Sequence, residues 1–163
     1  VFADTIIISD HGEFYRFLDL PIYPDLIRNY GPLGGIHSAF IHTATHRIFI
    51  VSCDVPLITS RMIRDIIEAP ADGEAVVMSS GNRIQPLFGI YSRSCLPLLE
   101  MHISRGQHSV MQFVRGIPTL RTVPSSRATT SGQHGLFNVN TPRAYEQLLT
   151  SAGRQEPSAD SLP

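Results

Sequence analysis

The segment that most constrains this chain runs from Arg47 to Pro56 and reads Arg-Ile-Phe-Ile-Val-Ser-Cys-Asp-Val-Pro. Ile48, Phe49, Ile50 and Val51 form an unbroken apolar run of β-branched and aromatic residues. So short and uniformly apolar a run suits a strand covered on both faces, as in a parallel α/β sheet. Polarity then changes abruptly at Ser52-Cys53-Asp54. Ligands of open α/β sheets bind just past the carboxyl ends of the strands, so Asp54 stands where a functional carboxylate would stand. A turn-capping role ahead of Val55-Pro56 is the alternative that the residues alone leave open. Pro56 ends the strand, and a helical pattern from Thr59 onward carries the chain back over the sheet.

The same alternation runs through the whole chain. Thr5 to Ser9 predicts a buried strand, with the turn Asp10-His11-Gly12 at its carboxyl end. Phe14, Phe17 and Leu18 recur at helical spacing and predict a short helix. Pro21 to Asp25 is short, extended and proline-bounded, as an edge strand would be, and it ends in a second carboxylate, Asp25. Gly31-Pro32-Leu33-Gly34-Gly35 is a glycine-rich loop that runs into a helix marked by Ile36, Phe40, Ile41 and Ala44. Gly34 and Gly35 allow a ligand close to the backbone, and the helix N-terminus favours an anion. Tight packing of that helix is the competing explanation.

Met62, Ile63, Ile66 and Ile67 mark the next helix, closed by Pro70-Ala71-Asp72-Gly73. Ala75 to Met78 reads as a third buried strand, and Ile84 to Tyr91 as extended structure around Gln85-Pro86. Leu96 to Ile103 and Val110 to Val114 mark two helices closed by Gly106 and Gly116, and Thr119 to Val123 is a last strand. Pro124 to Gly135 is polar, rich in Ser and Thr, and aperiodic, which predicts a mobile surface loop. Thr141 and Pro142 then open a final helix through Tyr145, Leu148 and Leu149. Strands alternating with helices predict a three-layer α/β sandwich with a mostly parallel sheet. It occupies one domain over residues 1–150, and 151–163 form a polar tail.

Composition excludes several function classes. A net charge of -1 gives no electrostatic case for nucleic acid or an anionic membrane surface. No apolar run approaches the roughly 18 residues of a membrane-spanning helix. Cys53 and Cys95 have no metal-ligand spacing and sit in apolar surroundings, which suits a reducing cytoplasm. Cys53 could serve as a nucleophile, but its carboxylate neighbour would raise its pKa, and it reads as a small buried residue. His42 and His46 are four apart and could share a metal, but they fall on the predicted solvent face opposite Ile36 and Phe40.

Four segments together resemble one family. Gly31-Pro32-Leu33-Gly34-Gly35-Ile36 is similar to a glycine motif of the MobA-like nucleotidyltransferases. Ser52-Cys53-Asp54-Val55-Pro56 resembles their metal-binding Cys-Asp-Met-Pro motif, with Val55 in place of Met. Gln85-Pro86-Leu87-Phe88-Gly89-Ile90-Tyr91 resembles a segment of the molybdenum cofactor guanylyltransferases in that family. Phe137-Asn138-Val139-Asn140-Thr141-Pro142 resembles their C-terminal Asn-x-Asn-Thr-Pro motif. Order and spacing agree from Thr5 to Leu149.

The resemblance implies a Rossmann-like nucleotidyltransferase fold and transfer of GMP from GTP to molybdopterin, with release of pyrophosphate. By position, Asp54 would be the catalytic residue and would hold Mg²⁺. Asp10 and Asp25 would contact the nucleotide, and Gly34 and Gly35 would lie against substrate. Gln85 and Pro86 would shape the molybdopterin side, and Asn138 and Asn140 would support the metal and phosphates. Mg²⁺ takes hard oxygen ligands and usually one or two carboxylates, so the residue types suit it. The attacking group would be an already ionised phosphate, so no side-chain general base is demanded.

The partners implied are GTP, molybdopterin and, transiently, molybdoenzymes or other cofactor-biosynthesis proteins. A cytidylyltransferase of the same fold and a non-catalytic cofactor-binding module are the alternatives. The family's opening glycine-rich loop, with its triphosphate-binding Arg and Lys, has no counterpart here, and the chain contains no Lys. The expectation is therefore the C-terminal bulk of a longer enzyme, weak or inactive by itself.

Overall fold

A computed structural model describes residues 2, 4–55, 58–125 and 146. The predicted loop at 124–135 beyond Ser125, the Asn138 and Asn140 motif, the final helix other than Glu146 and the 151–163 tail lie outside the described residues. In chain order the elements are β1 (Ile7–Ile8), a 3₁₀ segment (Gly12–Leu18), β2 (Ile22–Tyr23), α1 (Pro32–His42) and β3 (Arg47–Val51). Then come α2 (Ser60–Ile67), β4 (Ala75–Ser80), β5 (Arg83–Ser92), α3 (Leu96–Ser104), α4 (Val110–Gly116) and β6 (Leu120–Pro124).

The main sheet has the order β3-β5-β4-β6, and β1 pairs with β2 in parallel as a separate two-stranded ladder. β5 runs antiparallel to both its neighbours, whereas β4 and β6 are parallel. Three of the four strands thus share one direction. The expected parallel preference holds for strand direction, but the ladders beside β5 are antiparallel. The cause is local: β4 and β5 are joined by the tight turn at Gly81-Asn82, where Gly81 has φ +56°. A connection that short can return the chain only antiparallel.

Two apolar layers sandwich this sheet, and β4 shows how one strand serves both. Ala75 and Val77 join Leu33, Ile36, Phe40, Ile48, Tyr91, Leu99 and Phe113 under α1, α3 and α4. Val76 and Met78 point the other way and join Val55, Met62, Ile66 and Phe88 under α2. That alternation is the period-two pleat of a doubly covered strand. The apolar run that defines β3 is split likewise, with Ile48 and Ile50 on the first side and Phe49 on the second. Val51, at the carboxyl end, is 47% exposed.

Side-chain hydrogen bonds set the helix ends. The Thr59 hydroxyl accepts from the Met62 N–H at 3.2 Å and caps α2. At the other end of α1, Arg93 collects chain carbonyls: its guanidinium donates to Phe40 O at 2.8 Å, to Thr43 O, and to Thr45 O at 3.3 Å. A cation that satisfies the last carbonyls stops the helix at His42.

Three expectations change. Ala44 and His46 lie beyond α1, so His42 and His46 do not form a helical pair, and His42 instead stacks on Tyr23 with ring centroids 4.1 Å apart. Ile41 faces outward, because the buried stripe is Leu33, Ile36 and Phe40. Phe14 and Phe17 do not pack a helix face either; they are 68% and 81% exposed. Their segment is 3₁₀, where residues three apart eclipse, and it buries none of its side chains.

Candidate active site

Consecutive elements bring the candidate residues to one edge. β2, α1 and β3 follow each other in the chain, and α1 packs on both β1 and β3. The N-terminus of α1 and the carboxyl ends of β2 and β3 therefore lie on the same side of the sheet. β4 and β6 run with β3 and end there too, and β5 begins there. This is the edge at which open α/β sheets take ligands.

The first group on it is built from Asp10, Asp25, Gly34 and a residue the motifs did not reveal, Ser38. Asp10 follows β1, and its Oδ1 accepts from the Asp25 N–H at 3.0 Å, tying the ends of β1 and β2 together. Asp25 Oδ1 accepts from the Ile27 N–H at 3.1 Å and from the Ser38 hydroxyl at 2.9 Å. Ser38 is fully buried on α1, and its oxygen accepts from the Leu26 N–H at 2.8 Å. Its single proton has a second acceptor, Gly34 O, also 2.9 Å away. The carboxylate is the stronger of the two.

Asp25 Oδ2 lies only 2.6 Å from where a Cβ on Gly34 would stand, as does Ile27 O. Gly34 is therefore glycine so that Asp25 and the chain after it can lie on the helix. Gly35 is different, with nothing within 4 Å of its Cβ position. Of the two glycines, Gly35 faces open space.

Ser38 was legible in principle. It falls four residues after Gly34, which puts its hydroxyl over the Gly34 carbonyl one helical turn back. Ser38→Ala should lower stability by about 1–3 kcal/mol, because it leaves the Leu26 N–H unpartnered in a half-buried setting. Urea unfolding of the variant checks the cost.

The second group surrounds Asp54. Past Val51 the β3–β5 ladder gains one further bond, from Ser52 N–H to Leu87 O at 3.0 Å. The chain then turns at Cys53-Asp54, and the Ser52 hydroxyl donates to Asp54 Oδ1. The Asp54 turn is thus tied through Ser52 to Leu87, which follows Gln85-Pro86 near the start of β5. Gln85 pairs with Met78, and Pro86 O accepts from the Tyr91 hydroxyl. Asn138 and Asn140 lie outside the described residues.

Among the described residues, no three His, Cys, Asp or Glu side chains gather as a metal cluster. The donor set offered at Asp54 is a single hard carboxylate held by a hydroxyl. That suits Mg²⁺, which keeps waters and substrate phosphates as its other ligands. Cys53, beside it, is exposed, contrary to the sequence expectation of a buried residue; the turn that presents Asp54 carries it outward. Cys95 is buried as expected. Its thiol donates to Glu74 O at 3.3 Å, and burial pushes its pKa up to about 11, which makes it inert. No described helix is long and apolar enough to cross a membrane.

A helix–sheet–helix sandwich with carboxylates and a glycine-opened helix along its carboxyl edge is the class of α/β domain that receives nucleotides. Residues 1–123 match the MobA-like NTP transferase domain, and the chain belongs to that family. It is 30% identical over 148 residues to the probable molybdenum cofactor guanylyltransferase of Carboxydothermus hydrogenoformans, covering 90% of this chain and 75% of the relative. To the probable molybdenum cofactor guanylyltransferase of Pelotomaculum thermopropionicum it is 34% identical over 146 residues, covering 87% and 70%. Its fold is similar to that of molybdopterin-guanine dinucleotide biosynthesis protein A from Archaeoglobus fulgidus. The TM-score is 0.74 at 18% identity, over 91% of this chain and 78% of that one.

Proposed function

We propose that this protein transfers GMP from GTP to molybdopterin, giving molybdopterin guanine dinucleotide and pyrophosphate. The observation that carries the proposal is Asp54. It stands past the carboxyl end of β3, held by Ser52, whose N–H bonds to Leu87 next to Gln85-Pro86 in sequence, in a chain similar to molybdenum cofactor guanylyltransferases over most of its length. An oxygen of the molybdopterin phosphate would bond to the α-phosphorus of GTP, and the bond from that phosphorus to pyrophosphate would break. Reactions of this kind depend mainly on positioning and charge neutralisation.

Asp54 would hold Mg²⁺, which when bound neutralises phosphate charge. Asp25 and Asp10, both engaged by backbone or Ser38, would fix the nucleotide side. Gly35 would lie against substrate, with Gly34 as the packing glycine behind it. Gln85 and Pro86 would face molybdopterin, and Asn138 and Asn140 are carried over from their motif alone. Two unpaired thiols fit a reducing, cytoplasmic setting, and the product would pass on by transient contact with molybdoenzymes or cofactor-biosynthesis proteins.

The test is an assay of the protein as its organism makes it, with molybdopterin, Mg²⁺ and either GTP or CTP. The expected result is pyrophosphate and the guanine dinucleotide from GTP, abolished by chelation. Preference for CTP would assign the cytidylyl reaction instead. Tight molybdopterin binding without turnover of either nucleotide would make the protein a binding module.

A further inference from the structure

β5 is in register with its two neighbours in different ways. Against β4, Val77 pairs with Gly89 and the next residue, Met78, with Gln85. Pro86, Leu87 and Phe88, which lie between, have no counterpart on β4. Against β3, β5 stays in step from Ser92 down to Phe88. The surplus residues therefore form a bulge at the end of β5 that meets the carboxyl edge, and bulges re-aim the side chains they carry. The surplus residues are Pro86, Leu87 and Phe88, and Gln85 is the first paired residue past them.

Tyr91 spans this bulge. Its hydroxyl donates to the Pro86 carbonyl at 2.5 Å, five residues back along the same strand. Five residues of straight strand cover about 16 Å, well beyond a tyrosine side chain, so the bond exists only because the backbone is bulged. Tyr91 is 0% exposed, and its ring stacks on Phe113 with centroids 6.2 Å apart. A ring so confined cannot swing away from the carbonyl. Burial also raises its pKa far above the ordinary phenol range, so the donated proton is present at every working pH.

We propose that Tyr91 is a positioning residue for the acceptor side of the reaction, its hydroxyl setting where the Gln85-Pro86 corner stands relative to Asp54. The proposal rests on the assignment of Gln85 and Pro86 to molybdopterin made above. The corner is coupled to the Asp54 turn through Leu87, whose carbonyl accepts from the Ser52 N–H. Tyr91 touches no substrate and acts through the Pro86 carbonyl.

The variant that tests this is Tyr91→Phe, which keeps the ring and its packing and removes the hydroxyl. Two measurements are made on the protein as its organism makes it: hydrogen exchange at the Gln85, Leu87 and Phe88 amides, and KM for each substrate separately. Exchange should quicken at those amides and stay unchanged along Ile48 to Ile50. KM for molybdopterin should rise by about three- to tenfold, the scale of one lost buried hydrogen bond, with KM for GTP unaltered. Unchanged exchange at residues 85–88 overturns the proposal, whatever the activity. So does an equal rise in both KM values, which is what a purely structural hydroxyl would give. A wild-type protein that transfers no GMP sinks the functional assignment instead, and the exchange comparison still decides whether Tyr91 holds the corner.

Discussion

Asp54→Asn should cut GMP transfer by on the order of 10²-fold or more while leaving the protein folded, as when one charge-stabilising group is removed from an active site. The structure makes Asn a clean probe. The contact that positions Asp54 is the Ser52 hydroxyl donating to Oδ1, and an Asn oxygen accepts the same bond. What disappears is the negative charge, and Mg²⁺ needs that charge more than it needs the shape. Asp54→Ala removes both charge and acceptor. If Asp54 were a turn cap alone, Asn would be nearly silent, and Ala would cost about 0.5–2 kcal/mol of stability with the Mg²⁺ requirement intact. Melting temperature and Mg²⁺-dependent transfer, measured on both variants, separate the two. Near-normal transfer by Asp54→Asn, at an unchanged metal optimum, would remove Asp54 from the mechanism.

How much of this was legible depended on whether a feature is local. The β3 run, the helix that starts near Thr59, the closing glycines and the strand–helix alternation are set by neighbouring residues, and these features form close to where the sequence pattern puts them. Asp54 was legible for the same reason, as a polarity break at the end of an apolar strand. The contacts that organise the site are not local. Asp25 is held by Ser38 thirteen residues away, and Asp10 reaches Asp25 across fifteen. Arg93 ends α1 from some fifty residues further on, which is why helical spacing alone carried that helix too far. Phe14 and Phe17 mislead for a related reason: spacing of three to four fits an α-helix, but nothing in the described structure covers that face. Gly34 illustrates the limit most sharply. Its motif left close approach to a ligand and tight packing both open, and the atoms that press on it belong to Asp25 and Ile27.

Gly89→Ala should be among the most destabilising single substitutions in the main sheet. Gly89 lacks the positive φ that would itself favour glycine, so its backbone accepts Ala without strain. The cost is steric. An added Cβ would stand 2.3 Å from Val76 O and 2.8 Å from Val77 Cα, on the neighbouring strand β4. Both are backbone atoms in the buried part of β4, Ala75 to Met78, and cannot swing aside as a side chain would. Relief requires β4 and β5 to part at the bulge, so the loss should be about 3 kcal/mol, the upper range for overpacking. That corresponds to a fall in Tm of about 6–12 °C for a chain of this length.

Gly35→Ala is the matched control, because the same added methyl meets open space on α1. There it should raise stability by about 0.5–1 kcal/mol, since Ala is the better helix former. Propensity decides the sign at Gly35 and packing decides it at Gly89. Thermal unfolding of the two variants side by side reads both, and a Gly89→Ala protein as stable as the parent would mean that β4 does not press on the bulge.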